Sequence, residues 1–125
     1  MQLLLDTHVM LWCLQGSRRL SKPTRARILT AREVYVSSVS IWELSIKVSA
    51  GKLDLDVDEL VAELPNVGLH ELHVSHRHAL SVGHLPLIHR DPFDRMLIAQ
   101  ANCESMTLLT ADRILASYSS LVELI

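Results

Sequence analysis

The sequence predicts an α/β protein, a three-layer sandwich in which a parallel five-stranded sheet lies between two layers of helices. Three observations lead to this prediction. Short apolar segments alternate with amphipathic ones, the first apolar segment shows no polar alternation, and helix-capping residues recur at the junctions. Strands that are apolar throughout are typical of parallel sheets, which are covered on both faces. The 125 residues, 49% of them hydrophobic, suit a single domain over residues 1–125.

Five strands are expected, over residues 3–5, 34–36, 69–74, 107–110 and 121–125. One helix follows the first strand and ends near residue 16, and another spans 111–117. The remaining helices are expected to begin after capping residues, which are Ser21, Ser40, Asp56, Ser75 and Asp91. Helices that separate successive strands give right-handed crossovers, which place the first and fourth strands side by side with the second beyond the first.

Several protein classes are excluded by composition. No apolar run approaches the roughly 20 residues of a membrane span, and the amino terminus predicts a buried strand and not a secretory signal. We therefore expect a cytoplasmic protein. Cys13 and Cys103 lie far apart in predicted helices without CxxC spacing, so we interpret them as buried free thiols.

The charge distribution is more informative than the net charge of −2. A basic run without intervening acids contains Arg18, Arg19, Lys22, Arg25, Arg27 and Arg32, and an acidic stretch covers residues 54–63. A basic face beside a carboxylate site suits a polyanionic substrate. An ordinary solvated helix face is the alternative interpretation of the same run.

Four acidic residues predict the chemistry. Asp6, Glu43, Asp94 and Asp112 each lie where a strand meets a helix or in the first turns of a helix. A parallel sheet gathers such positions into one crevice at the carboxyl ends of its strands. Carboxylates held together repel each other unless a hard cation such as Mg²⁺ or Mn²⁺ binds between them. A converging acidic cluster of this kind serves metal-assisted phosphodiester hydrolysis.

Other polar residues near these acids have two interpretations each. Asp91 fits a helix cap, and Asp94 and Asp112 could act on helix ends alone. Thr7, Ser40 and Thr110 could hydrogen-bond a carboxylate or a phosphate, or cap helices. Arg95 could contact a phosphate or form a surface ion pair. We assign Thr7, Thr110, Arg95, Arg25 and Arg27 as candidate substrate contacts.

Three further groups of residues carry weaker hypotheses. Histidines are dense over residues 70–89, but a zinc site is disfavoured because a predicted strand holds some of them and a helix the others. Trp12 and Trp42 lie on apolar helical stripes, which favours core packing or subunit contact over base stacking. The apolar faces of the helices over 41–48 and 57–64 could receive a partner's helix or strand, or a second copy of the chain.

Four stretches resemble the acidic motifs of a known family. LLLDTHVMLW, VSSVSIWEL, HRDPFDRMLIAQA and LLTADRIL are similar, in order and spacing, to the motifs of PIN domains, and more narrowly to VapC toxins of bacterial toxin–antitoxin pairs. The resemblance implies a metal-dependent endoribonuclease, an inhibitory VapB-type antitoxin and a homodimer. It also implies that Asp6 and Asp94 are the principal Mg²⁺ ligands, and that Glu43 and Asp112 complete the site. Many relatives carry Ser or Asn at the position of His8.

Other functions remain as alternatives. The first is a PIN-like module that binds RNA or protein without efficient catalysis. A receiver-like signalling domain is disfavoured because Asp6 has no acidic neighbour, the third strand does not end in Asp, and no lysine follows Lys52. A Walker-type nucleotide enzyme is disfavoured because the chain has no GxxxxGK[ST] loop.

Overall fold

In the computed structural model, which describes residues 2–125, five parallel strands form one sheet in the order β3-β2-β1-β4-β5. The strands are β1 (Gln2–Leu5), β2 (Glu33–Ser37), β3 (Leu69–Leu72), β4 (Thr107–Thr110) and β5 (Val122–Leu124). This topology confirms the predicted neighbours of β1. The third strand ends two residues earlier than expected, because the chain turns after Leu72 to reach the cap of the next helix.

Seven α-helices connect the strands within residues 2–125, and a short 3-10 helix (Pro65–Val67) precedes β3. They are α1 (Thr7–Gln15), α2 (Lys22–Thr30), α3 (Ser38–Ser49), α4 (Val57–Glu63), α5 (His76–Val82), α6 (Pro92–Glu104) and α7 (Arg113–Ala116). The capping predictions for α2, α4, α5 and α6 are confirmed, since each predicted side chain accepts a backbone N–H. None of these helices is long and apolar enough to cross a membrane.

The cap of α3 was predicted wrongly. Ser37, the last residue of β2, accepts the N–H of Val39 and starts the helix, so Ser40 already lies within its first turn. The strand therefore runs into the helix without a loop. Because α3 begins earlier than expected, Glu43 lies in the second turn and not in the first.

The core is divided between the two faces of the sheet, which confirms the three-layer sandwich. Leu3 and Leu5 of β1 pack with residues of α1, α3 and α4 on one face, whereas Leu4 packs with residues of α6 and α7 on the other. All three leucines are fully buried. This alternation explains why the first apolar segment carries no polar residue, since each of its faces meets a layer of helices.

Candidate active site

The candidate site lies where the direction of the chain through the sheet reverses. Strands β1, β2 and β3 extend the sheet one way, and the chain then returns to place β4 on the other side of β1. Asp6 directly follows β1, and its backbone N–H donates to the carbonyl of Leu109 in β4 at 3.1 Å. Such a reversal opens a crevice at the carboxyl edge of a parallel sheet.

Asp6 is held in this crevice by two hydrogen bonds. Oδ1 accepts the N–H of Val9 at 2.8 Å, which makes Asp6 the cap of α1, and Oδ2 accepts the hydroxyl of Thr110 at 2.5 Å. The residue is only 5% exposed. Burial raises the pKa of Asp6, and the hydrogen bond from Thr110 opposes that shift by favouring the carboxylate.

Glu43 reaches the crevice from α3 and is also fully paired. Oε1 accepts the hydroxyl of Thr7 at 2.8 Å, and Oε2 accepts Nζ of Lys47, one turn later, at 2.8 Å. Ser40 Oγ lies 2.9 Å from the same threonine hydroxyl. Lys47 was missed in the sequence, although spacing of four residues on a helix is the signal that could have revealed the ion pair. The hydrogen bond to Glu43 raises the pKa of Lys47.

Asp91 and Asp94 divide two roles between them. Asp91 caps α6, because Oδ1 accepts the N–H groups of Phe93 and Asp94 at 2.9 and 3.3 Å. Asp94, in the first turn, points into the crevice. Burial raises the pKa of Asp94 to about 6, and the charges of Asp91, Glu43 and Asp6 add to the shift. The site thus concentrates negative charge that the protein alone does not fully compensate.

Asp112 follows β4 and is linked to Asp6 through one threonine. Thr110 Oγ1, which donates to Asp6, also accepts the N–H of Asp112 at 3.0 Å. One carboxylate oxygen of Asp112 caps α7 through the N–H of Ile114. Both interpretations of Asp112 are therefore compatible, since it caps a short helix at the same edge of the sheet as the other acids.

His89 was not predicted to belong to the site. Its Nε2 lies 3.0 Å from Oδ2 of Asp94, and one possible ligand atom from each of His89, Asp94 and Asp112 fits within a mutual distance of 4.8 Å. Within residues 2–125 this is the only group of three or more side chains placed to share a metal ion. Its place as the first residue of the third acidic motif, five residues before Asp94, was the available signal.

The four predicted acids thus lie in one crevice, but their surroundings differ. Asp94 and Asp112 join His89, whereas Asp6 and Glu43 lie beside that group and act on it through their charges. Asp112 in turn contributes to the raised pKa of Asp6. The arrangement offers oxygen and nitrogen donors together with one lysine, a set suited to a divalent cation and a phosphate.

The structure contradicts the surface position expected for Arg95. This residue is 9% exposed, and its guanidinium donates to the carbonyls of Pro86 at 2.9 Å and Val82 at 3.1 Å. It also lies 3.2 Å from the hydroxyl of Tyr118. Neighbouring helix residues project about 100° apart, so Arg95 turns into the protein where Asp94 turns to the crevice. The predicted phosphate contact has no geometric support.

The other predicted substrate contacts are also engaged within the protein. Thr7 and Thr110 are buried and orient carboxylates, which is one of the interpretations left open by the sequence. Arg25 donates to the carbonyls of Ser17 and Leu20, and Arg27 forms an ion pair with Glu123 at 3.2 Å. These arginines therefore interact with parts of the molecule other than the acidic crevice.

The remaining histidines and tryptophans are dispersed. His70 packs against Tyr35, and buried His78 lies 3.0 Å from Glu104. Among residues 2–125, the one group of possible metal ligands contains a single histidine, His89. Trp12 packs at the margin of the core. Trp42 is 61% exposed and meets Phe93 edge to face, which contradicts core packing and leaves subunit contact as the prediction.

The doubly wound sheet and its edge of carboxylates define an α/β protein with an acidic crevice that has donors suited to a cation. Comparison with known families then gives the assignment. A sequence model of the PIN domain matches residues 3–121, so the chain belongs to the PIN domain family. This match confirms the family resemblance and the fold that it implied.

Solved structures share this fold over nearly the whole chain. A chain of VapBC2 from Rickettsia felis, bound to a DNA fragment from its promoter, has a TM-score of 0.73 at 16% identity, with 100% of this chain and 98% of that one covered. A toxin–antitoxin complex from Klebsiella pneumoniae gives 0.66 at 17% identity, covering 96% and 94%. VapBC-1 from nontypeable Haemophilus influenzae gives 0.68 at 16% identity, covering 99% and 98%. Comparison with curated protein sequences gave no match.

Proposed function

We propose that this PIN domain is a metal-dependent endoribonuclease and the toxin of a toxin–antitoxin pair. The observation that carries the proposal is the acidic crevice, in which side chains from four separate junctions of the fold meet. The four acids of this proposal are those of the four sequence motifs. The RNA substrate follows from the resemblance to VapC toxins, and the cytoplasm, where RNA is abundant, is the proposed compartment.

The donor set fits a divalent cation. The family resemblance gave Asp6 and Asp94 as the principal ligands, but the ligand atoms that lie close together favour Asp94 and Asp112 as the residues that would hold the ion. Asp6 and Glu43 would complete the acidic site. The raised pKa of Asp94, to about 6, reflects burial beside Asp91 and other acids, a conflict that a bound cation relieves. We predict Mg²⁺, with Mn²⁺ as a substitute. When bound, such an ion supplies Lewis-acid stabilisation of a phosphodiester undergoing hydrolysis.

The residues of the chain supply orientation and charge. Thr110 and Val9 fix the carboxylate of Asp6, and Thr7 fixes that of Glu43, so these acids need no rearrangement when substrate arrives. Lys47 adds a positive charge beside the carboxylates, within reach of a phosphate that enters the crevice. We retain Arg25 and Arg27 as weaker candidates for RNA contact, since their observed partners are within the protein.

An antitoxin is the proposed protein partner. The similar solved structures include one described as a toxin–antitoxin complex. A cavity of about 490 Å³ lies between α3, α4 and the edge strand β3, and its apolar lining includes Ile41, Val61 and Leu64. These are the helices that the sequence indicated for a partner. The exposed Trp42 and Ile46 on the other side of α3 support a homodimer contact.

The binding-module alternative differs in one measurable respect. In that case the acids would retain metal or partner affinity without turnover. The pairing of Asp6 and Glu43 with dedicated hydrogen-bond donors favours the enzyme, because a surface used only for binding RNA would not require two buried carboxylates.

The test is cleavage of total cellular RNA by the purified chain with Mg²⁺, with Mn²⁺ and with EDTA. We expect discrete fragments that require metal and are absent with Asp6→Asn, because this change removes the charge while Asn still caps α1. Asp54→Asn, an exposed acid outside the crevice, is the matched control and should cleave normally. Undiminished cleavage by folded Asp6→Asn would refute the assignment, and metal binding without cleavage would favour the binding module.

A further inference from the structure

His89 lies at the metal-accepting part of the crevice although it belongs to no helix or strand. It sits in the connection between α5 and α6 and projects its ring against Asp94, with Nε2 3.0 Å from Oδ2. Asp112 offers a carboxylate oxygen to the same small space. All three side chains are only partly buried, and those of His89 and Asp94 are each 22% exposed. A cation from solvent can therefore reach them.

The position of His89 is fixed by a network of hydrogen bonds behind the loop. The hydroxyl oxygen of Tyr118 accepts the N–H of His89 at 2.6 Å and that of Ile88 at 3.2 Å. The guanidinium of Arg95 binds the carbonyls of Pro86 and Val82 from the other side. A loop whose backbone N–H and carbonyl groups are both hydrogen-bonded has little conformational freedom, so the position of the imidazole is restricted.

This network is built from the same elements that present the carboxylates. Arg95 directly follows Asp94 in α6, and Tyr118 follows α7, whose cap is Asp112. The imidazole and the two carboxylates are thus held relative to each other by one rigid unit. Arg95 and Tyr118 act as positioning residues, since they contact the loop and not the crevice itself.

The spacing and chemistry of the donors indicate which ions they suit. Adjacent ligands of an octahedral ion with bonds of about 2.1 Å are separated by about 3.0 Å, which matches the distance between Nε2 and Oδ2. Carboxylates alone accept Mg²⁺ readily. A nitrogen donor favours first-row transition ions, because imidazole binds them more strongly than it binds Mg²⁺.

We propose that His89 is a nitrogen ligand that joins Asp94 and Asp112, and that it makes the site select Mn²⁺ over Mg²⁺. The inference rests on the proposed metal-dependent function and sharpens the identity of its ion. The competing role is an indirect one, in which His89 only orients the Asp94 carboxylate by a hydrogen bond.

The experiment measures metal binding without reference to cleavage. EDTA-treated protein is titrated with Mn²⁺ and then with Mg²⁺ as competitor, by electron paramagnetic resonance. Electron spin-echo envelope modulation then reports any nitrogen bonded to Mn²⁺. We expect nitrogen modulation in the wild-type protein and none in His89→Gln. This variant should lose about ten-fold or more in Mn²⁺ affinity and less in Mg²⁺ affinity. His84→Gln, an exposed histidine near the start of the same connection, is the control and should match the wild type.

The outcomes separate this inference from the proposed function. Nitrogen modulation that persists in His89→Gln, or that is absent from Mn²⁺-bound wild type, overturns the ligand assignment while the metal site stands. Equal loss of Mn²⁺ and Mg²⁺ affinity in His89→Gln overturns the selectivity and favours the orienting role. A folded wild-type chain that binds neither ion refutes both the inference and the proposed metal-dependent enzyme.

Discussion

The crevice has two halves that are built in opposite ways. The inner half consists of Asp6 and Glu43, whose four carboxylate oxygens are all hydrogen-bonded to protein groups. The outer half consists of His89, Asp94 and Asp112, in which a carboxylate with a pKa raised to about 6 faces an imidazole at the solvent boundary. Burial raises the pKa of an acid in each half, Asp6 and Asp94, but the inner half sets more hydrogen-bond donors and a lysine against its negative charge.

The difference shows how one crevice can be stable without metal and still attract a metal ion. Buried carboxylates with hydrogen-bond donors and a lysine are tolerated without metal, so the inner half maintains the geometry of the sheet edge. The outer half keeps negative charge that its neighbours do not offset, and the proposed metal ion would offset it. Affinity for the proposed ion would then be concentrated where solvent has access. Three predictions test this division, from the largest effect to the smallest.

Removing Arg95, which holds the loop that carries His89, should have the largest effect on stability. Arg95→Met removes the hydrogen bonds that a guanidinium only 9% exposed donates to the carbonyls of Pro86 and Val82 and to the Tyr118 hydroxyl, so we expect the free energy of unfolding to fall by about 3 kcal/mol. Urea denaturation measures this change. Arg25→Met, which removes bonds to two carbonyls at a less buried site, is the control and should cost about 1 kcal/mol. Equal losses in the two variants would mean that Arg95 has no special role in holding the loop.

Breaking the ion pair between Lys47 and Glu43 in the inner half should lower stability by a smaller amount, which bound metal should restore. Lys47→Met leaves the buried carboxylate of Glu43 without its counter-ion. Solvent screens this pair because the lysine is 42% exposed, so we expect the free energy of unfolding of metal-free protein to fall by only about 2 kcal/mol. Saturating Mn²⁺ should recover most of it by supplying positive charge nearby. The change is measured by thermal unfolding with and without the ion, and Lys52→Met, an exposed lysine beyond α3, is the control. A defect that Mn²⁺ does not reduce would show that the two halves are electrostatically independent.

The pH dependence of stability should reveal the uncompensated charge of the outer half. The pKa of Asp94 is raised from 3.8 to about 6, so its contribution is fully present below pH 3.8 and is lost as pH rises through about 6. We expect metal-free protein to lose about 1 kcal/mol across this range, reduced by solvent screening of the partly exposed carboxylate. Urea titrations at several pH values measure the slope, which Asp94→Asn should flatten. An unchanged slope in that variant would assign the effect to another acid.

Much of the framework follows from local sequence signals. The caps at Ser21, Asp56 and Asp91 and the apolar first strand specify elements within a few residues, and crossover rules then order the strands. The acids could be located in this way because each is attached to a strand end. The distinction between Asp91 as a cap and Asp94 as a crevice residue also follows from helix geometry, since the two are three residues apart at one helix end.

Other features depend on contacts between distant parts of the chain. His89 reaches the crevice because Tyr118 and Arg95 hold its loop, and the first of these bonds spans 29 residues. The burial of Arg95 depends on the path of that loop, which has no periodic signal. Trp42 is exposed because its helix presents only one side to the core, and a short apolar stripe does not indicate how much of it is covered. Such features require the assembled tertiary structure.

The adjacency of Asp94 and Arg95 affects how genetic data on this protein are to be interpreted. One side chain faces the crevice and the next faces the interior, so substitutions at consecutive codons would impair the proposed activity through unrelated causes. If the chain is the proposed toxin, a selection for cells that survive its expression would return substitutions at both positions. Only the amount of folded protein recovered from each survivor distinguishes a substitution that disables the proposed site from one that unfolds the protein.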